Sequence, residues 1–106
     1  NTYMTDTVTA ETIKYGINCF YALKVVYANQ LYDVCKRSGA NYEKIKEVMY
    51  HRKWMSTNHF DVWFNEKRGL WGKCLPKDIQ AFANYSNSRL LQLAVKLDEE
   101  VKYEPN

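Results

Sequence analysis

The sequence predicts an all-α fold in which one long central helix packs with three shorter ones. Over residues 9–38 there is no proline and a single glycine, Gly16, while Ile13, Ile17, Phe20, Leu23, Tyr27, Leu31 and Val34 recur at three- and four-residue steps. That is the period of a helix. Further helical stretches follow, and no segment shows the apolar–polar alternation of a strand. With 106 residues, 46% hydrophobic and 25% charged, and only 4 Gly and 2 Pro, residues 1–106 are expected to form a single domain with a real core.

The first helix is expected from about Thr9 to Ser38, about 45 Å at the usual rise per residue. Thr9 is placed to cap it, Glu11 suits the positive end of its dipole, and Lys36-Arg37-Ser38-Gly39 is a C-terminal signature. Tyr21, Ala22, Val25 and Ala28 make the opposite face apolar as well. A helix apolar around most of its circumference should be buried, and a second copy of itself is the expected cover, giving a homodimer.

Asn41 caps a second helix, about Tyr42 to Tyr50, expected to turn Ile45, Val48 and Met49 inward and to leave Lys44, Lys46 and Glu47 outside. From His51 to Lys73 the periodicity fails, and Trp54, Trp63 and Trp71 are interleaved with Arg52, Lys53, Lys67 and Arg68. Loops this long commonly carry function. Pro76 marks the start of a third helix, since its missing N–H is no loss at the first helical position, and Ile79, Phe82 and Ala83 extend it to about Tyr85. Ser86-Asn87-Ser88 breaks and recaps the chain. The last helix spans about Ser88 to Tyr103, with Leu90, Ala94, Leu97 and Val101 inward and Lys96, Asp98 and Glu99 exposed.

Composition excludes several classes of function. Fifteen Lys+Arg against twelve Asp+Glu gives a net charge of +3. No long block of like charge occurs, so no nucleic-acid partner is expected. No stretch approaches the ~18 apolar residues of a membrane span, and Asn1–Thr5 carries no basic-then-apolar signal pattern, so no membrane association is expected. Cys19, Cys35 and Cys74 are odd in number and contain no close pair, which argues against disulfides and a zinc site and for reduced thiols in the cytoplasm. His51 and His59 have no third ligand, and no metal is expected. The chain opens on Asn1 rather than Met, as a segment of a longer polypeptide would.

Chemistry concentrates in Gly69-Leu70-Trp71-Gly72-Lys73-Cys74-Leu75-Pro76-Lys77-Asp78. A glycine-containing loop leads into a helix, which places Cys74 among the unpaired N–H groups of a helix start, where negative charge on sulfur is favoured. Lys73 and Lys77 add positive charge, and Asp78 stands one turn further on, in reach of orienting or deprotonating a water. Lys14 and Asn18, four apart, share a face of the long helix beside Tyr21, Ala22 and Val25, where an ammonium and an amide could stabilise a developing oxyanion. On the residues alone, Cys74 reads equally as a small buried side chain with Asp78 as a helix cap, and Lys14 as a lysine reaching solvent.

Two stretches in this order resemble the central domain of the UDP-glucose/GDP-mannose dehydrogenase family. Residues 10–24, with Glu11, Lys14, Asn18 and Phe20, are similar to its Glu-x-x-Lys-x-x-x-Asn-x-Phe helix. Gly72-Lys73-Cys74-Leu75-Pro76-Lys77-Asp78 is similar to its Gly-Gly-Ser-Cys-Phe/Leu-Pro-Lys-Asp motif. The resemblance implies a middle domain between two Rossmann domains of an NAD-dependent enzyme that oxidises a nucleotide sugar, UDP-glucose foremost, twice at C6. By carry-over, Cys74 is the nucleophile toward the C6 aldehyde, Lys14 and Asn18 stabilise oxyanionic intermediates, and Asp78 assists proton transfer. Gly69 and Gly72 let the backbone approach the substrate, Arg52 is the nearest match to an arginine that reaches across a dimer, and Lys77 contacts the cofactor. Trp71 and Lys73 stand where the family has glycine and serine. No Gly-x-Gly-x-x-Gly fingerprint for NAD occurs, so the isolated domain is expected to turn nothing over. The rival expectations are a catalytically degenerate dimerisation module and a basic helical nucleic-acid binder.

Overall fold

The computed structural model describes residues 6–103. Among them, four helices follow in order: α1 Thr7–Ser38, α2 Tyr42–Tyr50, α3 Cys74–Ser86 and α4 Arg89–Lys102. The stretch Asn1–Thr5, where no signal pattern was expected, lies outside the described residues. Among the described residues, the sole ladder-like pairing is an isolated antiparallel bridge between Phe64 and Lys67.

Helix α1 starts two residues before the expected position because Asp6, not Thr9, is its cap. The Asp6 carboxylate accepts the Thr9 N–H at 2.7 Å and the Thr9 hydroxyl at 3.1 Å. Its other end is as the sequence predicts: Gly39 takes the left-handed conformation at φ 82°, and its N–H closes on Cys35 O at 2.8 Å. Asn41 caps α2 by accepting the Lys44 N–H, and Ser88 caps α4 by accepting that of Leu91. Helix α3 begins at Cys74 rather than Pro76. Proline in its first turn is still harmless, because the first four N–H groups of a helix have no partner within it.

Helices α3 and α4 pack on each other and on α1, whereas α2 packs on α1 alone of the helices. One core joins Cys19, Ala22, Val25 and Val26 of α1 to Ile79 and Ala83 of α3, to Leu91 and Ala94 of α4, and to Leu70 of the long loop. The small residues of α1 let the other helices approach closely. A second core gathers Ala28, Cys35, Tyr42, Phe60 and Val62, so the loop from residue 51 to 73 covers one side of α1 and α2. The Tyr42 hydroxyl donates to Phe60 O at 2.7 Å, and burial pushes its pKa up to about 12.

Three inward assignments change. Ile13, Ile17, Phe20, Tyr27 and Val34 form an exposed stripe on α1, with Phe20 61% exposed, because α3 and α4 take the side with the smaller residues. Val48 faces out of α2, and Tyr42 is the residue it buries. In α4 the buried stripe is Leu91, Ala94, Asp98 and Val101. Leu90 is therefore 63% exposed, and Asp98, expected in solvent, is 6% exposed. Lys46 is also less exposed than expected, drawn onto Asp61 at 2.6 Å and Glu43 at 3.0 Å. No helix among the described residues is long and apolar enough to cross a membrane.

Candidate active site

Where α3 meets α1, the Asn18 side-chain amide donates to Asp78 Oδ2 at 2.6 Å. This bond joins residues sixty positions apart, one from each stretch singled out in the sequence. Asp78 lies four residues after Cys74 and so on the same face of α3. Beneath it, Cys19 Sγ lies 3.9 Å from Asp78 O. Burial, and then the Asp78 charge, push the Cys19 thiol up, so this sulfur resists ionisation. All three cysteines are free thiols; Cys19 and Cys35 are buried, and Cys74 is exposed at the first position of α3.

Lys14 stands one turn before Asn18 on α1, but it is solvent-exposed rather than set among apolar side chains. Its Nζ lies 5.7 Å from the Tyr15 ring centroid. Being in the first third of α1, it precedes the stretch where the core closes around Cys19 and Ala22. Lys77 is exposed in the first turn of α3. Arg52 is not brought to this place: it is exposed in the turn that closes α2, where its N–H bonds Met49 O at 3.0 Å.

The two glycines of the loop differ in their surroundings. Both have positive φ, 92° at Gly69 and 98° at Gly72. A Cβ on Gly69 would meet Asp98 Oδ1 at 2.8 Å and Lys102 Cγ at 2.9 Å, so Gly69 is buried tightly against α4. A Cβ on Gly72 would meet nothing within 4 Å, which leaves its backbone open to a ligand. Beside Gly72, a pocket of about 380 Å³ is lined by Val25, His59, Phe64, Trp71 and Leu75 among others. Trp71 donates its indole N–H to Arg68 O at 2.7 Å. Its ring is flanked by the ammonium groups of Lys67 at 4.8 Å and Lys102 at 4.7 Å.

Two anchors that the sequence reading missed hold this loop. The Arg68 guanidinium, 4% exposed, donates from Nε to Asn29 Oδ1 at 2.9 Å and from Nη2 to Asp33 Oδ1 at 2.8 Å, both on α1. On the other side Asp98 Oδ1 accepts the Leu70 N–H at 2.7 Å, and Lys102 pairs with Asp98 Oδ2 at 3.2 Å. A carboxylate in phase with Leu91, Ala94 and Val101, and four residues before a lysine, was the available signal.

Burial raises the Asp98 carboxyl above its ordinary value, opposed by the Leu70 N–H and Lys102. Between the ordinary carboxylate value and the raised one, the folded state binds more protons than the unfolded, so this group's contribution to stability falls as pH rises. The stability advantage of the native chain over Asp98→Asn is thus expected to be larger near pH 4 than at pH 7. Urea unfolding at the two pH values measures it, and a difference that is flat or grows with pH contradicts the assignment.

Four helices arranged around one long rod, with a glycine-containing loop leading to an exposed cysteine at the start of α3 and an amide–carboxylate bond joining α3 to α1, define an all-α domain. The chain belongs to the UDP-glucose/GDP-mannose dehydrogenase family: the model of that family's central domain matches residues 8–102. It is similar to a UDP-glucose 6-dehydrogenase of Rickettsia bellii, 33% identical over 102 residues that cover 92% of this chain and 23% of the relative. A UDP-glucose 6-dehydrogenase of Bacillus subtilis is 29% identical over 101 residues, covering 91% of this chain and 22% of the relative. A GDP-mannose 6-dehydrogenase of Pseudomonas syringae pv. syringae is 29% identical over 83 residues, 78% of this chain and 18% of the relative. The chain thus spans less than a quarter of the length of these relatives. No solved structure matches it.

Proposed function

We propose that this chain is the catalytic middle domain of a cytoplasmic, NAD-dependent UDP-glucose 6-dehydrogenase, contributing the nucleophile Cys74, its supporting polar groups and a dimer interface. The observation that carries this reading is the 2.6 Å bond from Asn18 to Asp78, on the helix that exposes Cys74 at its start. It brings two separated motifs into one place.

The chemistry follows from what each group can do. Cys74 Sγ attacks the C6 aldehyde carbon, forming a C–S bond while the carbonyl π pair moves to oxygen. The second N–H of the Asn18 amide and the Lys14 ammonium stabilise that oxygen. Once C6 has lost a hydride and become a thioester, a water attacks it, Asp78 takes the water's proton, and the C–S bond breaks with its electron pair returning to sulfur. The product is a carboxylate, and Cys74 is regenerated. Gly72, with open space at its α-carbon, lets the backbone approach the sugar, and Gly69 sets the loop that presents it.

The hydride acceptor in this reading is NAD. The described residues contain four helices and no strand, so they build no strand–turn–helix pocket for a dinucleotide. The group does not fit this chain alone, and Lys77 is its single candidate contact here.

The test is a chimera in which residues 8–102 replace the matching segment of the Rickettsia bellii enzyme. It is expected to reduce NAD on addition of UDP-glucose and to form the uronic acid, with GDP-mannose as the comparison substrate. A folded chimera that binds UDP-glucose yet forms no product would overturn the reading in favour of a degenerate dimerisation module, for which Trp71 and Lys73 in the loop speak.

The exposed stripe of α1 is the proposed seat of a second copy. Phe20, Tyr27, Met49, Trp54 and Phe60 line a groove of about 440 Å³ along it. A two-fold pairing of these faces would cover the apolar surface, and it is the way Arg52 could reach a partner's site. Sedimentation at micromolar concentration should give a dimer, and Phe20→Lys a monomer of unchanged helicity; a native chain that stays monomeric removes this part of the reading.

A further inference from the structure

We propose that Asp98 is a positioning residue: from α4 it latches the loop at Gly69–Leu70 and so fixes the path along which the chain reaches Cys74 at the start of α3. The inference rests on the reading of Cys74 as the nucleophile, and it adds a residue that lies outside both motifs.

Cys74 itself is exposed, and no side chain caps α3, since Lys73 at the cap position makes no such bond. Its place is set on one side by the packing of Leu75, Ile79 and Ala83 and on the other by the loop that precedes it. Arg68 is fastened into α1 through Asn29 and Asp33. Two residues later, the Leu70 N–H is taken by Asp98 Oδ1 at 2.7 Å, with both residues buried. A buried amide bonded to a carboxylate is held more firmly than one bonded to a neutral acceptor. Lys102 holds the other carboxylate oxygen at 3.2 Å and lies over the Trp71 ring at 4.7 Å, so the same ion pair touches the loop twice. At Gly69 the fit leaves no room for a side chain against Asp98 and Lys102. Loop, carboxylate and ammonium thus form one packed unit on α4, and Cys74 follows Gly72 by two residues. A shift of about 1 Å in such a support costs a reacting group up to about 100-fold.

The experiment compares the unsubstituted 106-residue chain with Asp98→Ala, Asp98→Asn and Lys102→Met. Asparagine keeps an acceptor for the Leu70 N–H, and methionine removes only the rear support. Amide hydrogen exchange at Leu70 is expected to accelerate about 100-fold in Asp98→Ala relative to Val26 in the core of α1, and by smaller factors in Lys102→Met and in Asp98→Asn, which keeps an acceptor but loses the charge. Alkylation of Cys74 by iodoacetamide near pH 7 is expected to slow about fivefold or more in Asp98→Ala and to recover in part in Asp98→Asn. Cys19 and Cys35 report any general loosening, which would raise their rates.

Native exchange at Leu70 in both Asp98→Ala and Lys102→Met overturns the latch. So does a native Cys74 rate in an Asp98→Ala chain whose Leu70 has been freed. Should Asp98→Ala not fold, Lys102→Met decides by the same two readouts. If Cys74 in the native chain reacts no faster than a free cysteine, it is the nucleophile reading that fails, whatever Leu70 does.

Discussion

Cys74→Ala in the chimera is expected to lower uronic acid formation from UDP-glucose by at least about 1,000-fold, because the proposed mechanism then loses its covalent intermediate outright. The fold should not notice the change. Cys74 is exposed at the first position of α3, its side chain belongs to neither core, and alanine is the best helix former, so stability should stay within about 0.5 kcal/mol. Cys74→Ser keeps the shape but offers a far weaker nucleophile, and any aldehyde formed would be released or stall. Cys19→Ala provides the contrast. That thiol is buried, burial pushes its ionisation up, and Asp78 adds to the effect, so it should be dispensable for chemistry and costly for packing. A Cys74→Ala chimera that still makes the carboxylate at the parental rate would remove the nucleophile from the mechanism.

Arg68→Ala is expected to cost about 2–4 kcal/mol of folding stability, because it strips a buried guanidinium from buried Asn29 and half-buried Asp33 and leaves their acceptors behind. The guanidinium satisfies Asn29 Oδ1 at 2.9 Å, Asn29 O at 3.1 Å and Asp33 Oδ1 at 2.8 Å, and it lies 4.9 Å from the Tyr32 ring centroid. Alanine would leave these acceptors facing a cavity. Lysine would not rescue it, since a single ammonium cannot serve three acceptors in the plane of the fork. Urea unfolding measures the loss, and combining Arg68→Ala with Asp33→Ala should recover part of it. A loss below about 1 kcal/mol would show that the pair is not what ties the long loop to α1.

The helical class and the number of helices were legible because periodicity, Gly39, Asn41 and Ser88 all act locally. The bounds of α2 came out as read, since its cap and its end lie within one short stretch. What periodicity does not give is phase. Helix α1 is apolar on two sides, and only the close approach of α3 and α4 decides that Ala22 and Val25 go in while Ile17 and Phe20 stay out. The same one-residue rotation of α4 hid Asp98, because a carboxylate in an apolar stripe reads as surface until a backbone amide from a distant loop is seen to need it. In the candidate site, spacing on each helix placed Lys14 with Asn18 and Cys74 with Asp78. The contact between the two pairs depends on packing. Of the two readings open for Lys14 the structure takes the solvent-reaching one, because the first turns of a long helix can run past the core into water.

Residues 17 to 20 of α1 answer to separate masters in succession: Ile17 looks out to solvent, Asn18 holds Asp78, Cys19 enters the core and Phe20 looks out again. A single residue inserted or deleted between Lys14 and Asn18 would swing Lys14 and the turns before it by about 100° about the rod. Length variation among natural variants of this domain should accordingly be tolerated in the stretch around Trp54 and Asn65 and purged from α1. There the reading frame of the helix, more than the identity of any one side chain, is what inheritance must preserve.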